Sequence, residues 1–188
     1  RLSANRGSPG AKMKRILGIV AIIVGILLLL ALGSAAWFMT RPPAAAPIAS
    51  AGPTGQRIEA DGMLANYFPA TSGGRRPGIL LLGGSEGGLS PALVRQAVLL
   101  QQAGFNVLEV AFHNAPGKPA SLTNVPLEDF YRGLDWLKAR PEVDPTKLGI
   151  VGYSKGAEAA LLVSTRYPGL KGVVAGMPSS VAWAGMDR

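Results

Sequence analysis

Ile16 to Met39 is a run of 24 residues without a charged side chain, ILGIVAIIVGILLLLALGSAAWFM. As a helix it spans about 36 Å at roughly 1.5 Å per residue, enough to cross a hydrocarbon core of about 30 Å. At that length a buried helix of a soluble domain is disfavoured. Lys12, Lys14 and Arg15 precede the run, and Trp37 and Phe38 close it in the manner of interfacial anchors. The basic flank predicts a single-pass membrane protein, its N-terminus cytoplasmic and everything after Thr40 on the outer side. The rival reading is a signal peptide starting at Met13 and cut at Ser34-Ala35-Ala36 or Ala49-Ser50-Ala51, which leaves a secreted domain. The run exceeds the roughly 7–15 residues of a signal core, which favours an uncleaved anchor.

Charge is the second constraint. A formal net charge of +8 points by itself to nucleic acid or an anionic membrane surface. Its distribution says otherwise. Residues 1–15 hold five basic side chains and no acid, Arg41 comes next, and residues 56–188 hold 13 basic against 11 acidic groups. The body is nearly neutral, so no nucleic-acid partner is expected. The chain has no cysteine, which removes disulfides, thiolate zinc sites and a cysteine nucleophile. No cofactor and no metal are expected.

These features divide the chain into a basic flank (1–15), an anchor or signal segment (16–39), a Pro/Ala-rich linker (40–56) and a globular part (57–188). The chain begins with Arg1, and Met13 is a more natural start, so residues 1–12 read as an upstream artefact or part of a fragment.

From residue 57 strand and helix patterns alternate. Arg57–Ala60 and Leu64–Pro69 flank an Asp61-Gly62 turn and predict a hairpin. Pro77–Leu82, Asn106–Phe112, Lys147–Tyr153 and Leu170–Met177 are short apolar runs, as in strands buried on both faces. Helices are predicted over Pro91–Ala103, Pro126–Arg140 and Lys155–Arg166, with Glu128 and Asp129 suited to the first turn of the second. This alternation predicts an α/β fold with a mostly parallel sheet and helices on both faces.

Gly152-Tyr153-Ser154-Lys155-Gly156 matches G-x-S-x-G, and Ser154 falls between a predicted strand and a predicted helix, as a nucleophile elbow requires. The hydroxyl would then stand over the strand ends, beside the Lys155 N–H at a helix N-terminus. A serine N-cap is the alternative. Upstream, Gly83-Gly84-Ser85-Glu86-Gly87-Gly88 also joins a strand to a helix. In an acyl-transfer site it would give a second oxyanion donor, the N–H of Gly84 or Ser85; a plain glycine-rich turn is the alternative. A dinucleotide fingerprint fails because residue 85 is serine, and a P-loop fails because Leu89-Ser90 follows Gly88.

PGILLLGGSEGGL, NVLEVAFHNAPGKPASLTNVPLEDFYRGLDWLKARPEV and LGIVGYSKGAEAALL, in this order over about residues 76–178, resemble the catalytic domain of the acyl-CoA thioester hydrolase and bile acid-CoA:amino acid N-acyltransferase family. The resemblance implies an α/β-hydrolase fold akin to dienelactone hydrolases. It also implies cleavage of a small-molecule acyl ester or thioester through an acyl-serine on Ser154. Family members that transfer acyl groups to amino acids carry cysteine at that place, so serine leans toward hydrolysis. Glu158 falls on the family's S-K-G-x-E pattern as a helix-orienting group. The triad acid and histidine belong on loops after later strands, but only 34 residues follow Ser154, with Asp187 and no histidine. His113, the sole histidine, reads as a loop residue near the site mouth or, less well, as the general base. Both triad partners are thus expected to be absent from this chain, which reads as a C-terminally truncated hydrolase domain with little activity of its own. The expected whole protein is a membrane-anchored serine hydrolase of acyl-CoA thioesterase type. The alternatives are a dienelactone hydrolase-like carboxylesterase and a catalytically inactive, hydrolase-like binding domain.

Overall fold

The computed structural model describes residues 9–40, 46–182 and 185. Residues 1–8 of the basic flank, 41–45 of the linker, and Asp187 lie outside the described residues. The chain divides into two compact units, residues 1–43 and 44–188.

Among the described residues, the first unit is one helix, α1 (Pro9–Thr40). It starts before the apolar run because Pro9 suits a first helical position and the lysines and arginine are good helix formers. Met13–Thr40 has a mean hydropathy of 3.1, and its apolar side chains are exposed all round. Ser34 and Thr40 return their hydroxyl hydrogens to the carbonyls of Ala31 and Ala36, both at 2.9 Å.

The second unit holds a six-stranded sheet. Its strands are β1 (Gln56–Ala60), β2 (Met63–Phe68), β3 (Arg76–Leu82), β4 (Asn106–Ala111), β5 (Val143–Tyr153) and β6 (Leu170–Gly176), in the order β1-β2-β4-β3-β5-β6. Asp61 (φ 52) and Gly62 (φ 72) make the tight turn between β1 and β2, as Asp-Gly in a hairpin should. β2 runs antiparallel to β4, and β4, β3, β5 and β6 are mutually parallel. The helices are α2 (Pro91–Gln102), α3 (Glu128–Lys138) and α4 (Lys155–Ser164).

α2 is capped by Ser90, whose hydroxyl accepts from the Leu93 N–H at 3.2 Å, and it stops before Gly104 (φ 92). It packs Leu93 and Ala97 on Leu81 and Val107 on one face of the sheet. α3 and α4 cover the other face with Phe130, Leu134, Ala160 and Val163 against Leu80, Leu108 and Ile150. Most boundaries lie within one or two residues of the sequence reading, and two of the differences have a clear physical origin. β5 begins at Val143 rather than Lys147, because a register shift between Arg76 and Gly78 absorbs the Asp144-Pro145 stretch. α3 begins at Glu128 rather than Pro126, because Asp129 and Phe130 donate to Pro126 and Leu127 in tighter three-residue turns.

Two features of the sheet matter for stability. First, α4 lies against the end of β3 through Gly156: a Cβ there would collide with the Gly83 carbonyl and come within 2.8 Å of the Leu82 carbonyl. Both obstacles are backbone, so neither can rotate away. Second, Glu109 in β4 is fully buried opposite Asn66 of β2, which donates Nδ2–H to its Oε2 at 3.0 Å. Burial pushes the Glu109 carboxyl up to about 7, against the Asn66 amide, the Arg57 charge and the Ser90 N–H, which favour ionisation; Glu86 adds to the rise.

Gly156→Ala is expected to cost about 1–3 kcal/mol through forced backbone displacement, read as a lower melting temperature of the detergent-solubilised chain, although alanine is the better helix former. For Glu109, the unfolded chain ionises near about 4.3, while the native state keeps its proton to about 7. Between those values the native state binds more protons than the unfolded state, so stability falls as pH rises and stays low above the window. Urea denaturation from pH 4 to 8 should show this decline in the wild type, of the order of a few kcal/mol, and its loss in Glu109→Gln.

Candidate active site

β5 passes into α4 at a single residue. Ser154 has φ 51 and ψ −116, a conformation that costs a non-glycine residue on the order of 1–3 kcal/mol. Three backbone hydrogen bonds hold it: Ser154 N–H to the Gly176 carbonyl at 2.9 Å, and Ala157 N–H and Glu158 N–H to the Ser154 carbonyl at 2.9 and 3.2 Å. Gly152 and Gly156 make the turn sterically possible, since a Cβ on Gly152 would run into the Gly156 carbonyl. Ser154 stands at the N-cap position of α4, but its hydroxyl caps nothing. The side chain is exposed at the parallel strands' C-terminal ends, where open α/β sheets present ligand sites.

The glycine-rich segment after β3 comes alongside. Gly84 is buried, and a Cβ on it would stand 3.2 Å from the Ser154 Cβ and 3.5 Å from the Tyr153 carbonyl. Ser154, Lys155 and Gly84 are therefore brought together. Ser85 follows, with its carbonyl turned to His113, whose Nε2 donates to it at 3.3 Å. Gly87 (φ 68) and Gly88 (φ 64) turn the loop back so that Gly88 N–H reaches the His113 carbonyl at 3.0 Å.

His113 is 2% exposed, and burial lowers its pKa against the Ser85 carbonyl and the Glu86 charge, so the imidazole is neutral. Nε2 then carries the proton, and the buried Nδ1 has no hydrogen-bond partner. The ring is engaged with Ser85, not with the Ser154 hydroxyl.

The Glu86 carboxylate was not singled out in the sequence, though an acid inside GGSEGG is the signal that marks it. It lies over the loop's first two glycines: a Cβ on Gly83 would meet Oε1 at 2.9 Å, and one on Gly84 would meet Oε2 at 2.8 Å. Asp129 does more than sit in the first turn of α3: it is 6% exposed and takes Lys118 at 2.8 Å and Arg132, tying the segment after β4 to the helix.

On the α4 side, Lys155 Nζ pairs with Glu158 Oε2 at 2.9 Å, and Ser179 Oγ donates to Glu158 Oε1 at 2.5 Å. Glu158 thus links the first turn of α4 to the segment after β6. Beside this pair a cavity of about 220 Å³ is lined by Phe112, Leu122, Val125, Leu127, Phe130 and Leu162. Among the described residues, no three His, Asp or Glu side chains converge as a metal site requires.

Residues 125–185 match the family described as BAAT / Acyl-CoA thioester hydrolase C terminal. Mouse acyl-coenzyme A thioesterase 2, mitochondrial, is 34% identical over 110 residues, which are 58% of this chain and 24% of that protein. The chain thus spans about a quarter of the length of that relative. A Klebsiella pneumoniae protein solved as a candidate dienelactone hydrolase superposes with a TM-score of 0.58 at 19% identity, over 68% of this chain and 60% of the other. MGS-M1, an α/β hydrolase from a Medee basin deep-sea metagenome library, superposes with a TM-score of 0.54 at 18% identity, over 69% and 60%. Residues 125–185 are thus similar to the BAAT / acyl-CoA thioester hydrolase C-terminal family, and the second unit shares its fold with these two solved α/β structures.

Proposed function

We propose that the intact protein is a membrane-anchored serine hydrolase that cleaves an acyl thioester or ester through an acyl-enzyme on Ser154. The observation that supports this reading best is the strained, exposed Ser154 standing beside Gly84 at the head of α4. Ser154 Oγ attacks the acyl carbonyl and loses its proton to a general base. The negative oxygen of the tetrahedral intermediate is held by the Lys155 N–H and by that of Gly84 or Ser85, the contribution that dominates in sites of this type. Collapse expels the thiol or alcohol, and water then releases the acid from the acyl-serine. His113 is not assigned the general-base role, because its accepting nitrogen, Nδ1, is buried and receives no hydrogen bond from the Ser154 hydroxyl.

The acyl group is assigned to the cavity lined mainly by apolar side chains, with the paired Lys155 and Glu158 and Asn124 as its polar lining. α1 is assigned as the anchor. Its apolar side chains are exposed on every side, an arrangement that water opposes and lipid favours. The basic residues before it favour a cytoplasmic N-terminus and a hydrolase domain on the outer side.

A fluorophosphonate probe applied to membranes holding the intact protein should label it covalently, and Ser154→Ala should abolish labelling while leaving the circular dichroism spectrum unchanged. Labelling that survives in the variant rules out Ser154 as the nucleophile; an unlabelled, folded wild type favours a hydrolase-like binding domain. For the topology, protease added to intact cells is expected to digest residues 46–188 and spare the N-terminal flank, and a protected domain would reverse the orientation.

A further inference from the structure

The second half of the Pro/Ala-rich stretch is not free chain. Pro47 and Ala49 bracket Leu89: Leu89 N–H donates to the Pro47 carbonyl and Ala49 N–H to the Leu89 carbonyl, both at 2.8 Å, in a one-residue parallel bridge centred on Ile48. Ala51 is buried in the cluster formed by Phe68, Leu81 and Leu93. The Ala49 carbonyl receives two side-chain donors, Arg57 Nη2 at 2.6 Å and Asn66 Nδ2 at 3.1 Å. Asn66 is itself held by Glu109 across the β2–β4 pair. Gly88 lies directly beneath: its φ is 64, and a Cβ there would come within 2.8 Å of the Ala46 Cβ and run into the Pro47 carbonyl.

Leu89 ends the glycine-rich loop that begins at Gly83. One end of that loop is fixed by the β3–β5 pairing of Leu82 with Gly152. The other end is fixed by Pro47 and Ala49. Between the two, four of six residues are glycines, so the loop has little stiffness of its own. An oxyanion donor is useful only when held within about 0.5 Å of its productive place.

We propose that residues 47–51 form a positioning strap that fixes the Gly84–Ser85 amides beside Ser154, with Arg57 and Asn66 as its two fasteners. The strap acts through Leu89 and touches no substrate. This inference rests on the reading of Ser154 as nucleophile and of the loop as oxyanion donor. It also separates the two small-x-small cleavage sequences: a cut after Ala36 leaves the strap in place, whereas a cut after Ala51 removes it.

The test compares Ala49→Pro and Arg57→Leu with wild type in the intact membrane protein, using a short-chain acyl thioester and fluorophosphonate titration of Ser154. Ala49→Pro deletes the N–H that holds Leu89; Arg57→Leu deletes one fastener at a half-exposed position. Turnover per titratable serine should fall on the order of 10- to 100-fold in Ala49→Pro, less than the roughly 10²–10³ that outright loss of one oxyanion donor costs because the donor is displaced and not deleted, with KM little changed. The double variant should be no worse than Ala49→Pro, since the strap is already loose. Unchanged turnover per site in a folded Ala49→Pro overturns the proposal. If that variant does not fold, unchanged turnover in Arg57→Leu overturns it. Wild type that is not labelled at Ser154 refutes the hydrolase reading itself, a result distinct from either.

Discussion

The close passage of Gly156 over the Gly83 carbonyl is the contact on which the site geometry depends. It brings the start of α4 and the end of β3 to backbone distance, and Ser154 is the residue that must turn between them. Its left-handed conformation, costing on the order of 1–3 kcal/mol, is offset by three backbone hydrogen bonds worth about 0.5–1.5 kcal/mol each. Relaxing Ser154 would require α4 to lift from the sheet, exposing Ala157 and Ala160, both fully buried. The strain is therefore held by packing. The same passage sets Gly84 next to the serine, so elbow and loop come from one steric fact.

Much of this was legible in the sequence because the deciding signals are local. Asp61-Gly62 specifies its hairpin through two positive φ values, and Ser90-Pro91 starts α2 through one hydroxyl and one fixed φ. The elbow was legible because Gly152, Ser154 and Gly156 fall between a strand and a helix. What could not be read are contacts between distant backbone groups, which leave no mark on residue type. The Pro47–Leu89–Ala49 bridge is made entirely by main chain, and TRPPAAAPIASAGPTGQ has the composition of a tether. The engagement of His113 with Ser85 spans 28 positions and depends on where Gly87 and Gly88 turn the loop. Glu109, at the centre of NVLEVAF, gives no sequence sign of being buried opposite Asn66.

The polar groups beneath the loop have a common electrostatic consequence. Burial lowers the pKa of His113 and lets Glu109 hold its proton to about 7. Both buried groups thus favour their uncharged forms. Glu86 is the exception. It is exposed, and its carboxylate already lies over Gly83 and Gly84, so an incoming carbonyl oxygen must meet or displace one negative oxygen in order to reach those amides.

Whole-chain averages mislead for this protein because they sum two units of different composition. A net charge of +8 and 48% hydrophobic residues describe neither unit. The apolar excess belongs mainly to α1, where Met13–Thr40 reaches a mean hydropathy of 3.1, and five of the basic groups lie in the first 15 residues. With those set aside, the second unit is a nearly neutral α/β domain with two layers of helix on one sheet. The strap lies where the sequence passes from the first regime to the second. Its first residue, Pro47, accepts the Leu89 N–H at 2.8 Å before the chain has formed a single strand of the sheet. The chain thus enters the folded domain at the loop beside Ser154, nine residues before β1 begins at Gln56.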